Sequence, residues 1–146
     1  MRKTISGFTL SAVLFALCPS AEAQQPEKVY RIGYISGRSG AGPLDEVFKT
    51  ALRELGYIEG QNINITYRWA GEKLDRLPAL AVELVQFKVD VIVTETTPAA
   101  RAAKEATTAI PIVMALSADA VGTGLVASLA RPGANITGLT FIGTDL

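Results

Sequence analysis

The residues best suited to chemistry fall in four short segments. Ser36-Gly37-Arg38-Ser39-Gly40 places a guanidinium and hydroxyls in a glycine-rich stretch that a ligand can approach closely. Such a set can receive a carboxylate or a hydroxyl; it reads equally as a flexible, solvated loop. Its glycines at 37, 40 and 42 do not make G-x-G-x-x-G, and no Lys-Ser/Thr follows to make a P-loop. Thr96-Thr97-Pro98 reads as a helix start, with Thr97 as N-cap and Pro98 in the first position. The free N–H groups and positive dipole end of that helix suit a ligand carboxylate. Glu95 precedes them and can pair with a ligand ammonium, or remain a wet loop residue stabilised by the helix dipole. Trp69, followed by Ala70-Gly71, can stack on a flat or apolar ligand at a cleft rim. Its alternation with Ile63 and Ile65 makes core the better reading. Ser117 and Asp119 follow a later strand, with Asp119 read first as the cap of the next helix and second as a cleft residue.

Composition narrows the chemistry. The 146 residues include 14 Lys+Arg, 14 Asp+Glu, no His and one Cys. Without His the chain lacks the usual neutral-pH base and the commonest metal ligand. No Ser-His or Cys-His nucleophile system, zinc site or disulfide framework can be assembled, so neither cofactor nor metal is expected. Even charge with no basic tract argues against a nucleic-acid partner. An apolar share of 49% is enough for a packed core.

The first 23 residues read as an address. Arg2 and Lys3 are a positive start, Ile5 to Leu17 an uncharged apolar run, and Ala21-Glu22-Ala23 a small-x-small cleavage site. Residues 1–23 are thus expected to be a signal peptide and 24–28 a linker, with Gln24 the new N-terminus. Cys18 as a lipidated residue is the competing reading, disfavoured by Leu17 before it.

The rest alternates strand and helix. Val29 to Ile35 reads as a strand. Leu44, Val47, Phe48, Ala51, Leu52 and Leu55 form one helical face. Asn62 to Trp69 alternates strictly, as in a strand covered on one side and near a sheet edge. Leu77 to Val85 is a second helix, with Pro78 tolerated in its first turn. Asp90 to Thr94 and Ile110 to Leu116 read as buried strands, with an Ala-rich helix, Pro98 to Ala109, between them. A short fourth helix is expected within Asp119 to Ala130, and a fifth strand over Asn135 to Ile142. This spacing implies βαβ units and an α/β, doubly wound, parallel five-stranded sheet of flavodoxin-like order 2-1-3-4-5. Ligands bind beyond the carboxyl ends of such strands, which selects the loops Ser36–Gly42, Trp69–Lys73, Glu95–Thr97 and Ser117–Gly122.

Several segments together resemble a family. They are Leu52-Arg53-Glu54-Leu55-Gly56-Tyr57-Ile58-Glu59-Gly60-Gln61-Asn62, Tyr67-Arg68-Trp69-Ala70, Asp75-Arg76-Leu77-Pro78-Ala79-Leu80-Ala81, Ile110-Pro111-Ile112-Val113, Gly124-Leu125-Val126-Ala127-Ser128-Leu129 and Arg131-Pro132-Gly133-Ala134-Asn135-Ile136-Thr137-Gly138. In order and spacing they resemble the bacterial substrate-binding proteins of ABC importers, in the branch with tryptophan- and tyrosine-binding members. The resemblance implies a two-lobed type I periplasmic binding protein, of which residues 29–146 are the N-terminal lobe. It implies a periplasmic protein without catalysis, whose partners are a small-molecule solute, possibly an amino acid, and an ABC permease in the inner membrane. By position, Ser36 to Ser39, Glu95 to Thr97 and Ser117 to Asp119 would line the cleft. Where relatives have a small or glycine-containing segment this chain has Glu95-Thr96, and where they have Pro after the Asp it has Ala120. Relatives run to roughly twice this length, as two lobes require, so a chain stopping at Asp145-Leu146 is expected to be a fragment. The rival readings are an extracytoplasmic ligand-sensing domain of a receptor and, less favoured, an enzyme on the same sheet.

Overall fold

The computed structural model describes residues 28–141. The leader, Cys18 and Asp145-Leu146 lie outside the described residues. In chain order the elements are β1 (Tyr30–Ser36), α1 (Pro43–Glu54), β2 (Ile63–Trp69), a 3-10 turn (Leu74–Arg76) running into α2 (Leu77–Gln86), β3 (Val91–Thr94), α3 (Thr97–Ala106), β4 (Ile112–Met114) and β5 (Ile136–Gly138). All neighbouring strands pair in parallel, in the order β2-β1-β3-β4-β5. This is the order the alternating pattern predicts, and the one-sided β2 does lie at an edge.

One face of the sheet carries α2 and α3. Leu77, Leu80, Ala81 and Leu84 of α2 are buried, as are Ala99, Ala100, Ala102 and Ala103 of α3. Alanine on α3 lets its backbone lie close to β3 and β4, where Ile92, Ile112 and Met114 complete the cluster. Gly33 does the same for β1, since a Cβ there would sit 3.0 Å from Leu84 Cδ1 and 3.2 Å from Val89 Cγ2. Pro78 falls in the first turn of α2, where its missing N–H costs no helical bond.

The other face holds Ile32, Tyr34, Ile63 and Val93 beneath Phe48 and Leu52 of α1. Here the helical face read from the sequence is only half used. Phe48 and Leu52 pack on the sheet, whereas Leu44, Val47 and Leu55 are 51%, 64% and 74% exposed. Leu44 and Val47 instead border a hollow of about 220 Å³ with Tyr34, Glu95, Ala115 and Leu116. Among the described residues no helix covers this face beyond α1.

The expected strands Ile110 to Leu116 and Asn135 to Ile142 narrow to Ile112–Met114 and Ile136–Gly138, and two helices also need correction. The expected fourth helix over Asp119 to Ala130 is a series of turns. Asp119 (φ 35°) and Gly124 (φ 72°) are left-handed, so the single turn that starts there cannot propagate. Leu125 and Val126 still close the core from this turn, being 1% and 6% exposed. Helix α3 stops at Ala106 rather than Ala109, because Thr107 is extended and its Oγ1 accepts the N–H groups of Ala109 and Ile110.

Gly138 has φ +136°, and a Cβ there would lie 2.2 Å from the Met114 carbonyl oxygen on β4. That neighbour is backbone and cannot step aside. Gly138→Ala should therefore destabilise by about 3 kcal/mol or more. Gly56→Ala, also at positive φ but in open space, should cost only about 1–2 kcal/mol. Urea midpoints of the two variants check the ranking.

Candidate functional site

Parallel register brings the carboxyl ends of the strands together. Ser36 lies beside Trp69, Ile35 beside Thr94, and Thr94 beside Met114. The residues that follow these strands therefore share one end of the sheet.

The first loop is well held. Ala70, Gly71 and Glu72 donate their N–H groups to the carbonyls of Ser36, Arg38 and Gly37. Ser39 Oγ reaches Glu72 Oε1 at 3.0 Å, and the buried Ser36 Oγ accepts the Arg38 N–H at 3.2 Å. Loops one and two are thus zipped together, which contradicts the solvated-loop reading of Ser36–Gly40.

Arg38 is the centre of the arrangement. Its Nε donates to Glu95 Oε2 at 2.7 Å and its Nη2 to Asp45 Oδ2 at 2.8 Å. Glu95 is 4% exposed and Asp45 fully buried. Tyr34 Oη also donates to Glu95 Oε2, at 3.3 Å. Asp45 is the third residue of α1 and accepts the N–H of Gly42, the residue that starts the helix. Glu95 is accordingly a buried member of an ion-paired network and not a wet loop residue.

Charge and burial compete in this network. Burial alone would raise the Asp45 carboxyl, but the Gly42 N–H and the Arg38 guanidinium outweigh it and hold the group below the usual carboxylate range. Burial, then the charges of Glu95 and Asp45, push the Tyr34 phenol well above its ordinary value. Burial works against the Arg38 charge, yet its two carboxylates raise the guanidinium further still.

The second group gathers at the start of α3. The cap is Thr96, not Thr97: Thr96 is extended and its Oγ1 accepts the Ala99 N–H at 3.4 Å. This corrects the sequence reading by one residue, and Pro98 becomes the second helical position. Thr97 Oγ1 instead accepts the Ala118 N–H at 3.0 Å and lies 3.1 Å from the buried Ser117 Oγ. The Thr97 N–H has no acceptor among the described residues. Gly37 joins the two groups, since a Cβ on it would lie 3.8 Å from Thr96 Oγ1.

Two of the singled-out residues are engaged elsewhere. Trp69 is half-buried and stacks on Tyr67, with centroids 5.2 Å apart and planes at 6°. Asp119 is exposed and its Oδ1 accepts the Gly122 N–H at 2.8 Å, so it caps its own turn. Sequence reasoning assigned no site role to Asp45 or Tyr34. The available signal was Asp45 three residues after Gly42, the spacing of a carboxylate that reaches back to its own helix start.

No group of side chains among the described residues could hold a metal ion. No helix among them is long and apolar enough to cross a membrane.

The depressed Asp45 carboxyl makes stability acid-sensitive. Its contribution is present above the unfolded-state value near pH 4 and is lost as pH falls through the lower folded-state value. Asp90 is also lowered, by the Arg31 N–H at 2.8 Å and by the Lys28 and Arg31 charges, but its side chain is 28% exposed against 0% for Asp45. Between about pH 6 and pH 2, urea midpoints should therefore fall, and Asp45→Asn should flatten that fall more than Asp90→Asn.

The model of the ABC transporter substrate binding protein family matches residues 42–143. A tyrosine-binding protein of Clostridioides difficile is 41% identical over 91 residues, which is 62% of this chain and 26% of that protein. A conserved domain protein of Vibrio cholerae superimposes with a TM-score of 0.73 at 32% identity, covering 79% of this chain and 40% of its own. A substrate binding protein with adhesive properties from Clostridium difficile, in its ligand-free, open structure, gives 0.73 at 32% identity, covering 80% and 40%. An ABC domain from Streptococcus pneumoniae in complex with L-Trp gives 0.69 at 26% identity, covering 77% and 39%. The chain thus spans about a quarter of the curated relative and about 40% of the solved ones. With its strand order and a family match across residues 42–143, the chain belongs to the ABC transporter substrate binding protein family.

Proposed function

We propose that residues 29–146 are the N-terminal lobe of the solute-binding component of an ABC importer. It would hold a small solute, an aromatic amino acid first, in an interlobe cleft at the carboxyl ends of β1, β3 and β4. The observation that carries this reading is the contiguous patch of Ser36 to Ser39, Thr96, Thr97 and Ser117 at that sheet end. Within it the Thr97 N–H is free of acceptors among the described residues. The Arg38 side chain is 30% exposed, so its remaining N–H groups are accessible. A ligand carboxylate suits both donors, and Glu95 Oε1, which neither Arg38 nor Tyr34 engages, suits an ammonium. Trp69 and Asp119 contribute less, because stacking and turn capping already engage them. The relatives named for tyrosine and solved with L-Trp support an aromatic amino acid as the ligand.

In this reading the chain performs no chemistry and delivers its solute to a permease in the inner membrane. Residues 1–23 are the cleaved leader and the protein works in the periplasm. Expressed with that leader in a Gram-negative host, it should reach the periplasm beginning at Gln24. An exported protein that retains Met1, or acylation at Cys18, overturns this part.

One wall of a cleft forfeits the contacts of the other and does not exclude water. Binding to this lobe should therefore fall from the micromolar to the millimolar range, from near −8 to near −4 kcal/mol. Titration of 15N-labelled protein with L-tyrosine and with L-tryptophan should give saturable shifts at Gly37 to Ser39, Thr96, Thr97 and Ser117. At 1 mM the thermal stabilisation should not exceed ~0.4 kcal/mol. Scattered or absent shifts reject the site. A micromolar midpoint on a monodisperse monomer rejects the half-cleft reading, since this lobe would then be a complete module.

A further inference from the structure

We propose that Asp45, together with Gly42, positions Arg38 for ligand binding, an inference that rests on the binding role assigned above. Asp45 sits on α1 and is fully buried. A carboxylate without solvent must be matched by charge and hydrogen bonds, and Asp45 Oδ2 has both, from Arg38 Nη2 at 2.8 Å and from the Gly42 N–H.

The consequence falls on Arg38. Its Nε is fixed on Glu95 Oε2 at 2.7 Å and its Nη2 on Asp45. Two anchors on different nitrogens fix both the position and the plane of a guanidinium. What remains for a ligand is the Nη1 edge and one Nη2 proton, on a side chain 30% exposed.

Gly42 makes room for this placement. An ideal Cβ on it would lie 2.3 Å from Arg38 Nη1 and 3.6 Å from Cζ. A methyl group at 42 therefore pushes the guanidinium off its anchors without altering a charge. The groups facing the guanidinium are Asp45, Glu95, Gly42 and, through Glu95, Tyr34. Arg38 without Asp45 would retain one anchor and could swing about it, so that a ligand would have to immobilise the side chain at its own entropic expense. Asp45 thus acts through Arg38 and touches no ligand itself.

The test uses two routes to the same release. In the 15N-labelled protein the Arg38 Nε–H signal should be sharp and slow to exchange with water. In Asp45→Asn and in Gly42→Ala it should broaden and exchange rapidly. In both variants the initial slope of the L-tyrosine-induced shifts at Thr97 should fall about fivefold or more, the scale of a lost charge-assisted contact. Asp90→Asn removes longer and more exposed ion pairs at the opposite end of the sheet and should leave that slope unchanged. If Asp45→Asn does not fold, Gly42→Ala carries the test alone. An Arg38 signal that stays protected in the folded variants, or slopes equal to the parent, overturns the positioning role while the binding reading stands. No L-tyrosine or L-tryptophan shifts in the parent protein overturn the binding reading and the role together.

Discussion

One guanidinium ties the loop after β1 to the start of α1 and to the end of β3. Arg38 follows β1, Asp45 opens α1 and Glu95 follows β3, and both carboxylates reach Arg38 at hydrogen-bond distance. Neither carboxylate is more than 4% exposed. Left unpaired, each would carry a desolvation cost of several kcal/mol. The conformation of Ser36 to Gly42 is therefore tied to the placement of Arg38, and through it the start of α1 is tied to the end of β3. The backbone bonds from Ala70, Gly71 and Glu72 extend this constraint to the loop after β2. Three of the four loops at this sheet end thus move as one body.

The sheet explains why these groups meet at all. Right-handed crossovers return every strand to the same direction, so whatever follows β1, β3 and β4 lands on one edge. The crossovers themselves must lie close to the sheet. Small residues achieve this at Gly33 and along the alanine face of α3, whereas α1 stands off on Phe48 and Leu52. The alanine face sets how near the N-terminus of α3 comes to the loop after β4, where Thr97 Oγ1 takes the Ala118 N–H.

Periodicity made the order of elements legible, because period two and period 3.6 report burial directly. The strand order followed from the polar face of Asn62 to Arg68, which marks β2 as an edge. The failures share a cause. The sequence predicts a short helix within Asp119 to Ala130, but left-handed Asp119 and Gly124 hold it to one turn, and the core needs only Leu125 and Val126 from it. Six apolar positions on α1 suggested full burial, yet what covers Leu44 and Val47 is not encoded in α1. At the site, the loop positions were readable from topology, whereas the partners of Arg38 were not. Asp45 is seven residues away and Glu95 fifty-seven, and no local pattern records a pairing across two crossovers. The sequence reads Thr97 as the cap, and only the register of β4 draws the Thr97 hydroxyl to Ala118 and leaves the capping to Thr96.

Most side-chain polar atoms at this sheet end are already satisfied by one another, and this shapes what the end can do. The hydroxyls of Ser36, Ser39, Thr96, Thr97 and Ser117 each have a protein partner. Asp45 Oδ1, Trp69 Nε1 and Thr94 Oγ1 are buried without a partner among the described residues, and what stays open toward a ligand is the Thr97 N–H, the outer edge of Arg38 and one oxygen of Glu95. These are two donors and an acceptor held by a network that needs no rearrangement to present them. Groups fixed in advance cost a ligand less to engage, which favours capture of a small polar molecule. Burial and the neighbouring carboxylates raise Tyr34, the carboxylates raise Arg38 against its burial, and the Gly42 N–H and Arg38 lower Asp45 against its own, so each group keeps the charge state its partners require. The same electrostatics hold the guanidinium and its two carboxylates in one arrangement, which is the condition for recognition through prearranged hydrogen bonds.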